Sequence, residues 1–239
     1  EDLPIDVEVI GWKRSLLPES RDELVYVDNI HGSKLKSKPL GNRIIEINFR
    51  AYFDNEKERL NTVEHLAKWL YSEGFMKLVL SDEPDVYYLA KVLDDSDLEP
   101  QLFAAEFTIT FTCQPLKYGE QKTITTEDSS VEFYVDSTYY TPPFIRFITE
   151  SDENELTVTI NGEEISYNDE KEIESNSEVT VDVEEKEFRV NGELKVLEIE
   201  GYFTYLENGN NKISINKPIR DLTIDWQELY LYRVDNNEG

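Results

Sequence analysis

The chain has 239 residues, enough for one or two domains. At 39% hydrophobic and 12% aromatic it can bury a sizeable core. Its net charge of −27 opposes binding to a phosphate backbone, and no run of about 18 apolar residues provides a membrane-spanning helix. The single cysteine, Cys113, excludes an intramolecular disulfide framework and fits assembly in a reducing cytoplasm.

The start, Glu1-Asp2-Leu3-Pro4, lacks the basic and apolar regions of a signal peptide and an initiator Met, so a trimmed chain is expected. Ile5, Val7 and Val9 alternate with polar neighbours and predict a strand. Residues 12–21 read as an irregular connection, Glu23 to Asp28 as a strand, and His31 to Pro39 as a polar, turn-rich loop. From Arg43 to Phe53, Ile45, Ile47, Phe49 and Ala51 share one face of a strand. A helix is expected over 56–72, with Asn55 and Glu58 as a capping box and Gly74 just past its end. Leu60, Val63, Ala67 and Leu70 form its apolar stripe.

Lys77 to Leu80 is a short apolar strand, and Asp82-Glu83-Pro84-Asp85 an acidic turn. A strand containing Tyr87-Tyr88-Leu89-Ala90-Lys91 follows, then a long one from Phe107 to Tyr118. Residues 119–130 are polar and read as linker, placed at 121–129. Beyond Pro142-Pro143, candidate strands are Phe144 to Ile148, Leu156 to Ile160, Glu178 to Val183, Glu187 to Val190, Lys212 to Ile215, Leu222 to Ile224 and Leu229 to Tyr232. Asn161-Gly162, Asn191-Gly192 and Asn208-Gly209 are hairpin signals. Short strands, frequent turns and no convincing helix predict a sandwich of two antiparallel sheets.

Candidate chemistry is sparse. Asp82, Glu83 and Asp85 are carboxylates on a turn, read as hydrated rather than as an acid–base pair or a metal site. His31 and His65 have no partner at metal-ligand spacing, and Cys113 ends an apolar strand as a buried small hydrophobe. No nucleophile elbow or glycine-rich phosphate loop occurs. No catalytic residue, cofactor or metal site is assigned. Lys34, Lys36 and Lys38 are the one basic cluster, either a solvated guard on a sheet edge or a contact with a neighbouring acidic subunit. Acid is uneven: residues 1–120 carry 23 acidic and 14 basic side chains, net −9, and the remainder net −18. Trp226 in the second half is expected to pack in the core or at its rim.

The order of these pieces resembles the distal tail protein (Dit) family of long, non-contractile-tailed phages and prophages. The resemblance rests on the helix ending Trp69-Leu70 and the turn Asp82-Glu83-Pro84. It rests also on the strand Tyr87-Tyr88-x-Ala90-Lys91 and on the strand end Phe111-Thr112-Cys113-Gln114-Pro115, set against the family's Phe-x-Cys-x-x-Pro. Leu156 to Gly162, Val181 to Val183, Phe188 to Gly192 and Asn208 to Ile213 match the family's second domain. The Phe-Asn-Gly hairpin that usually opens the family is missing, and in the loop at 29–33 only Gly32 is kept.

The resemblance implies a mainly β, two-domain fold. Residues 1–120 would be a β-sandwich-like, ring-forming domain with one helix, and residues 130–239 a galectin-like sandwich. It implies a non-enzymatic hub at the virion tail tip, assembled in the host bacterial cytoplasm. Six subunits would form a ring between the tail tube protein and a baseplate or fibre protein, and DNA would pass through without specific binding. The alternative expectation is a carbohydrate-binding module for host-surface polysaccharide, because galectin topology alone does not fix function.

Overall fold

The computed structural model describes residues 7–26, 31–93, 99–100 and 104–233; Ile5, Val27, Asp28, Asn29 and Ile30 lie outside these. The chain forms two compact units, Glu1–Lys117 and Tyr118–Gly239.

The first unit contains β1 (Val7–Arg14), β2 (Glu23–Val25), β3 (Lys34–Ser37), β4 (Arg43–Tyr52), α1 (Glu56–Leu70), β5 (Met76–Leu78), β6 (Tyr87–Val92), β7 (Glu99–Pro100) and the start of β8 (Ala104–Thr126). Strand order is β1-β4-β8; β6 and β7 also pair with β8, and β5 pairs with β6. Alternation in β4 turns Ile45, Ile47, Phe49 and Ala51 inward, opposite Phe111, Ile109, Phe107 and Ala105 of β8. Phe49 stacks on Phe107 at 5.4 Å and takes the edge of Trp69 from α1 at 6.2 Å. The apolar phase of one strand thus builds the floor on which the helix sits.

The helix starts where the capping residues place it. Asn55 accepts from the Glu58 N–H at 3.0 Å, and the Glu58 carboxylate reaches back to the Asp54 N–H at 2.9 Å. Three details differ from the sequence reading. The helix stops at Leu70, and the extended Tyr71, not Gly74, caps it. The buried stripe is Thr62 and Leu66, with Trp69 and, as expected, Val63 and Leu70 half-buried, whereas Leu60 is 55% exposed and Ala67 is exposed. Trp69 and Leu70 both pack against the core of this unit. Finally, the expected irregular and loop stretches hold strand: β1 continues to Arg14, and Lys34–Ser37 pairs antiparallel with β2.

The second unit continues β8 from Tyr118 to Thr126. It adds β9 (Ser130–Val135), β10 (Phe144–Thr149), β11 (Glu153–Ile160), β12 (Glu163–Ile173), β13 (Glu178–Asp182), β14 (Glu187–Val190), β15 (Glu193–Lys195), β16 (Ile199–Gly201), β17 (Gly209–Ile215) and β18 (Ile219–Tyr230). One sheet runs β8-β18-β10-β13-β14-β15, the other β16-β12-β11-β17-β9. Their inner faces share one core: Ile145, Phe147, Val179, Val181 and Ile224 from the first, and Leu156, Val158, Ile160, Ile165 and Ile213 from the second. Trp226 lies in this core against Phe133 at 4.8 Å. The polar linker expected at 121–129 is instead mostly strand to Thr126, because Thr123-Ile124-Thr125-Thr126 is β-branched and pairs with β18. Asn161-Gly162 and Asn191-Gly192 take positive φ at both residues and close tight hairpins. Asn208-Gly209 does not: only Gly209 is left-handed, and β17 begins there.

Candidate assembly site

Two features of the first unit stand apart from an ordinary sheet packed on a helix: a buried ion cluster, and an arm rooted on it. Glu83, expected to be hydrated, is only 16% exposed in its side chain. The turn is closed by the Glu83 N–H donating to Leu80 O and the Val86 N–H to Glu83 O. It aims the Glu83 carboxylate at Lys117 on one oxygen and at Arg14 on the other, the latter at 3.0 Å. The Tyr88 hydroxyl donates to Glu83 at 3.3 Å, and Asp82 takes the other side of the Arg14 guanidinium at 3.0 Å. Arg43, almost fully buried, donates to the carbonyls of Ser15 at 2.8 Å, Leu16 at 3.0 Å and Pro115 at 3.2 Å. Burial lowers the pKa of Arg43, against the pull of Tyr88, Cys113 and Glu83. Burial also raises the Tyr88 phenol far above its ordinary range, with Glu83 adding to it, so Tyr88 stays a neutral donor.

The cluster therefore joins the end of β1, the acidic turn, the start of β4 and the last residue of this unit. Sequence reading missed Arg14, Arg43 and Lys117. Two of them carried a signal: Arg43 is in phase with inward Ile45, Ile47 and Phe49, and Lys117 with inward Phe111 and Cys113. A charge on the apolar phase of a strand needs a partner: the Glu83 carboxylate supplies it for Lys117, and the carbonyls of Ser15, Leu16 and Pro115 supply it for Arg43.

Arg43 grips Ser15 and Leu16 where β1 gives way to an arm, described over residues 18–26 and 31–41. At the arm's root the Arg21 N–H donates to Pro39 O and the Gly41 N–H to Glu19 O, and Ser20 bridges to Leu40. Beyond the root it is a bare two-stranded ribbon, β2 with β3. Leu24 (48%), Tyr26 (77%) and Leu35 (53%) are exposed, as is Val25. Lys34, Lys36 and Lys38 are exposed on it; Lys36 pairs with Glu23 across the ribbon at 2.8 Å. No ion pair involves Lys34 or Lys38 among the described residues.

The remaining signature residues divide between core and surface. Tyr88 and Ala90 are buried, Tyr87 is half-buried beneath the Lys77 ammonium at 4.3 Å, and Pro84, Asp85 and Lys91 are exposed. His31 and His65 are exposed and far apart in sequence; burial pushes the Cys113 thiol up to about 12. Among the described residues no three His, Cys, Asp or Glu side chains are grouped to hold a metal, and no helix is long and apolar enough to cross a membrane.

Two family models match: a phage tail protein RIFT-related domain over residues 7–113, and the C-terminal domain of a siphovirus-type tail component over residues 136–230. Together they define a phage tail protein. The chain belongs to the siphophage distal tail protein family.

Among solved structures, the Dit protein of phage SPP1, described as a paradigm of the hub adsorption apparatus in phages infecting Gram-positive hosts, is similar over 96% of each chain. Its TM-score is 0.76 at 18% identity. Chains of the phage P2 baseplate in its activated conformation, with Ca and with Sr, cover 95% of this chain and 92% of their own. They match at 9% and 10% identity with TM-scores of 0.45 and 0.43. No curated protein matches the chain.

Proposed function

We propose that this tail protein is the hub of the tail tip: six copies close into a ring between the tail tube protein and a baseplate or fibre protein, and DNA passes through the channel. The observation that carries the reading is the arm. A lone two-stranded ribbon is marginally stable in water, and this one presents Leu24, Val25, Tyr26 and Leu35 outward with no core of its own among the described residues. Such a ribbon gains its burial from another chain. An arm seated on a different surface of the next copy is a heterologous contact, and such contacts close as rings when the rotation permits.

The charge fits a conduit. A subunit of net −27 offers passing DNA no cationic grip. Nothing in the buried cluster invites catalysis, since its carboxylates are already held by cations.

Light scattering across a protein dilution series tests the arm. The wild type is expected to form a high-mass species that Leu24→Ser with Leu35→Ser reduces to monomer, with the melting temperature of the folded units unchanged. An assembled double variant would remove the arm from the account.

A further inference from the structure

The second unit carries a cleft walled by tyrosines on one side and by a carboxylate and an amide on the other. Thr141 and Leu206 exchange backbone hydrogen bonds at 2.8 and 3.1 Å and both side chains are fully buried. Because side chains alternate along extended chain, their neighbours Tyr140, Tyr205 and Glu207 turn outward together. Tyr140 is 60% exposed and Tyr205 36%, and the ring of Tyr140 lies 5.9 Å from Tyr139 and 6.3 Å from Tyr205. These rings sit beside a cleft of about 380 Å³ lined by Thr138, Tyr139, Tyr140, Glu207 and Asn208, within the size range of small-ligand sites.

The polar wall is held rigidly. Asn211, buried, spends its whole amide on this loop: its oxygen accepts from the Glu207 N–H and the Asn161 amide, and its nitrogen donates to the carbonyls of Glu207 and Gly209, all at 2.8–2.9 Å. The Glu207 carboxylate and the Asn208 amide make no hydrogen bond or ion pair among the described residues, so they stand ready at the cleft. This explains why Asn208-Gly209 is not a hairpin turn: Asn211 fixes it as the rim of a cleft.

We propose that this cleft binds an uncharged hexopyranose oligosaccharide. An exposed aromatic face takes the C–H side of a pyranose ring, while a carboxylate and an amide take its hydroxyls. A phosphate-bearing polymer is disfavoured by Glu207 and by the net −18 of this half of the chain. A protein partner is disfavoured because interface centres are depleted of carboxylates. The proposal stands apart from the ring, since all of these residues lie in the second unit.

The test is calorimetric titration of the full chain with neutral gluco-, galacto- and manno-configured tetrasaccharides, with polyglycerol phosphate as the anionic comparison. At least one neutral probe is expected to bind with a dissociation constant of about 1 mM or below. Tyr140→Ala should weaken it at least about tenfold and Asn208→Ala several-fold, while Tyr71→Ala, exposed in the first unit, changes nothing. Melting curves check that each variant is folded. No binding of any neutral probe at about 10 mM overturns the proposal, as does binding insensitive to Tyr140→Ala or a preference for the polyphosphate. None of these outcomes bears on whether rings form.

Discussion

Glu83 holds two cations in a place with little water, and that sets what its loss costs. Replacing it with Gln keeps the shape but leaves Lys117 and Arg14 short of a counter-charge, and Lys117 is only 7% exposed in its side chain. Removing one partner of a buried ion pair costs about 3 kcal/mol or more, and Asp82 still attends Arg14, so about 3 kcal/mol is expected here. Urea unfolding of Glu83→Gln reads it, and adding Lys117→Met should restore part of the loss. An unmoved midpoint would mean the cluster is a bystander. Glu228 works the other way. Burial raises its carboxyl, with Asp136 and Glu120 adding to this against the Tyr230 hydrogen bond and Lys122. The native state then binds more protons than the unfolded one between the ordinary and the raised pKa, so stability falls as pH rises through that window. Glu228→Gln is therefore expected to raise the melting temperature near about pH 8 and to lose the advantage near about pH 4. A gain independent of pH would point to packing instead.

At the scale of elements, pattern was legible wherever one face of a strand is fully buried. β4 and the main second-unit strands announce themselves by alternation, because a one-residue slip would expose the whole apolar set. Elements with a weaker inward face were not legible. β3 has no buried residue at all, and β12 shows only scattered apolar residues in the acidic run EEISYNDEKEI. The ion cluster was half-legible: its carboxylates drew notice as a turn, but the cations that pair with them come from positions 14 and 117, which only the fold assembles. The second-unit cleft left no local signal, since Asn211 acts across sequence on Glu207 and Asn161. Backbone constraint is strongest at Gly201, which ends β16 at φ +112; a Cβ there would fall 1.9 Å from the Glu164 carbonyl oxygen. Gly201→Ala must break the β12–β16 pairing at its end, and hydrogen exchange should show the Tyr202 N–H, now bonded to Glu164 O, losing its protection. Retained protection would contradict the placement of this edge strand.

On the scale of the whole molecule, each unit has a core of its own. A boundary is set by where the contacts change, at Lys117 and Tyr118, inside a strand rather than in a linker. A chain beginning at Tyr118 keeps the β8 segment that pairs with β18, so it is expected to be soluble, β-rich and cooperative on melting. One beginning at Ser130 loses that strand and should melt lower. Equal melting temperatures would show that the strand adds nothing to the second unit.

Closing a ring of like-charged subunits costs electrostatic energy that salt relieves, since the screening length is about 8–10 Å near physiological ionic strength. Lys34 and Lys38 on the arm are exposed and carry no ion pair among the described residues, so their charge is free for an acidic neighbour. Negative-stain imaging of the purified protein from low to moderate salt tests the central claim most directly. The account predicts six-fold rings with a central hole that become more abundant as salt rises, and fewer rings when Lys34, Lys36 and Lys38 are changed to Glu. Single particles without a hole at every salt and protein concentration, even with the tail tube protein added, would contradict it.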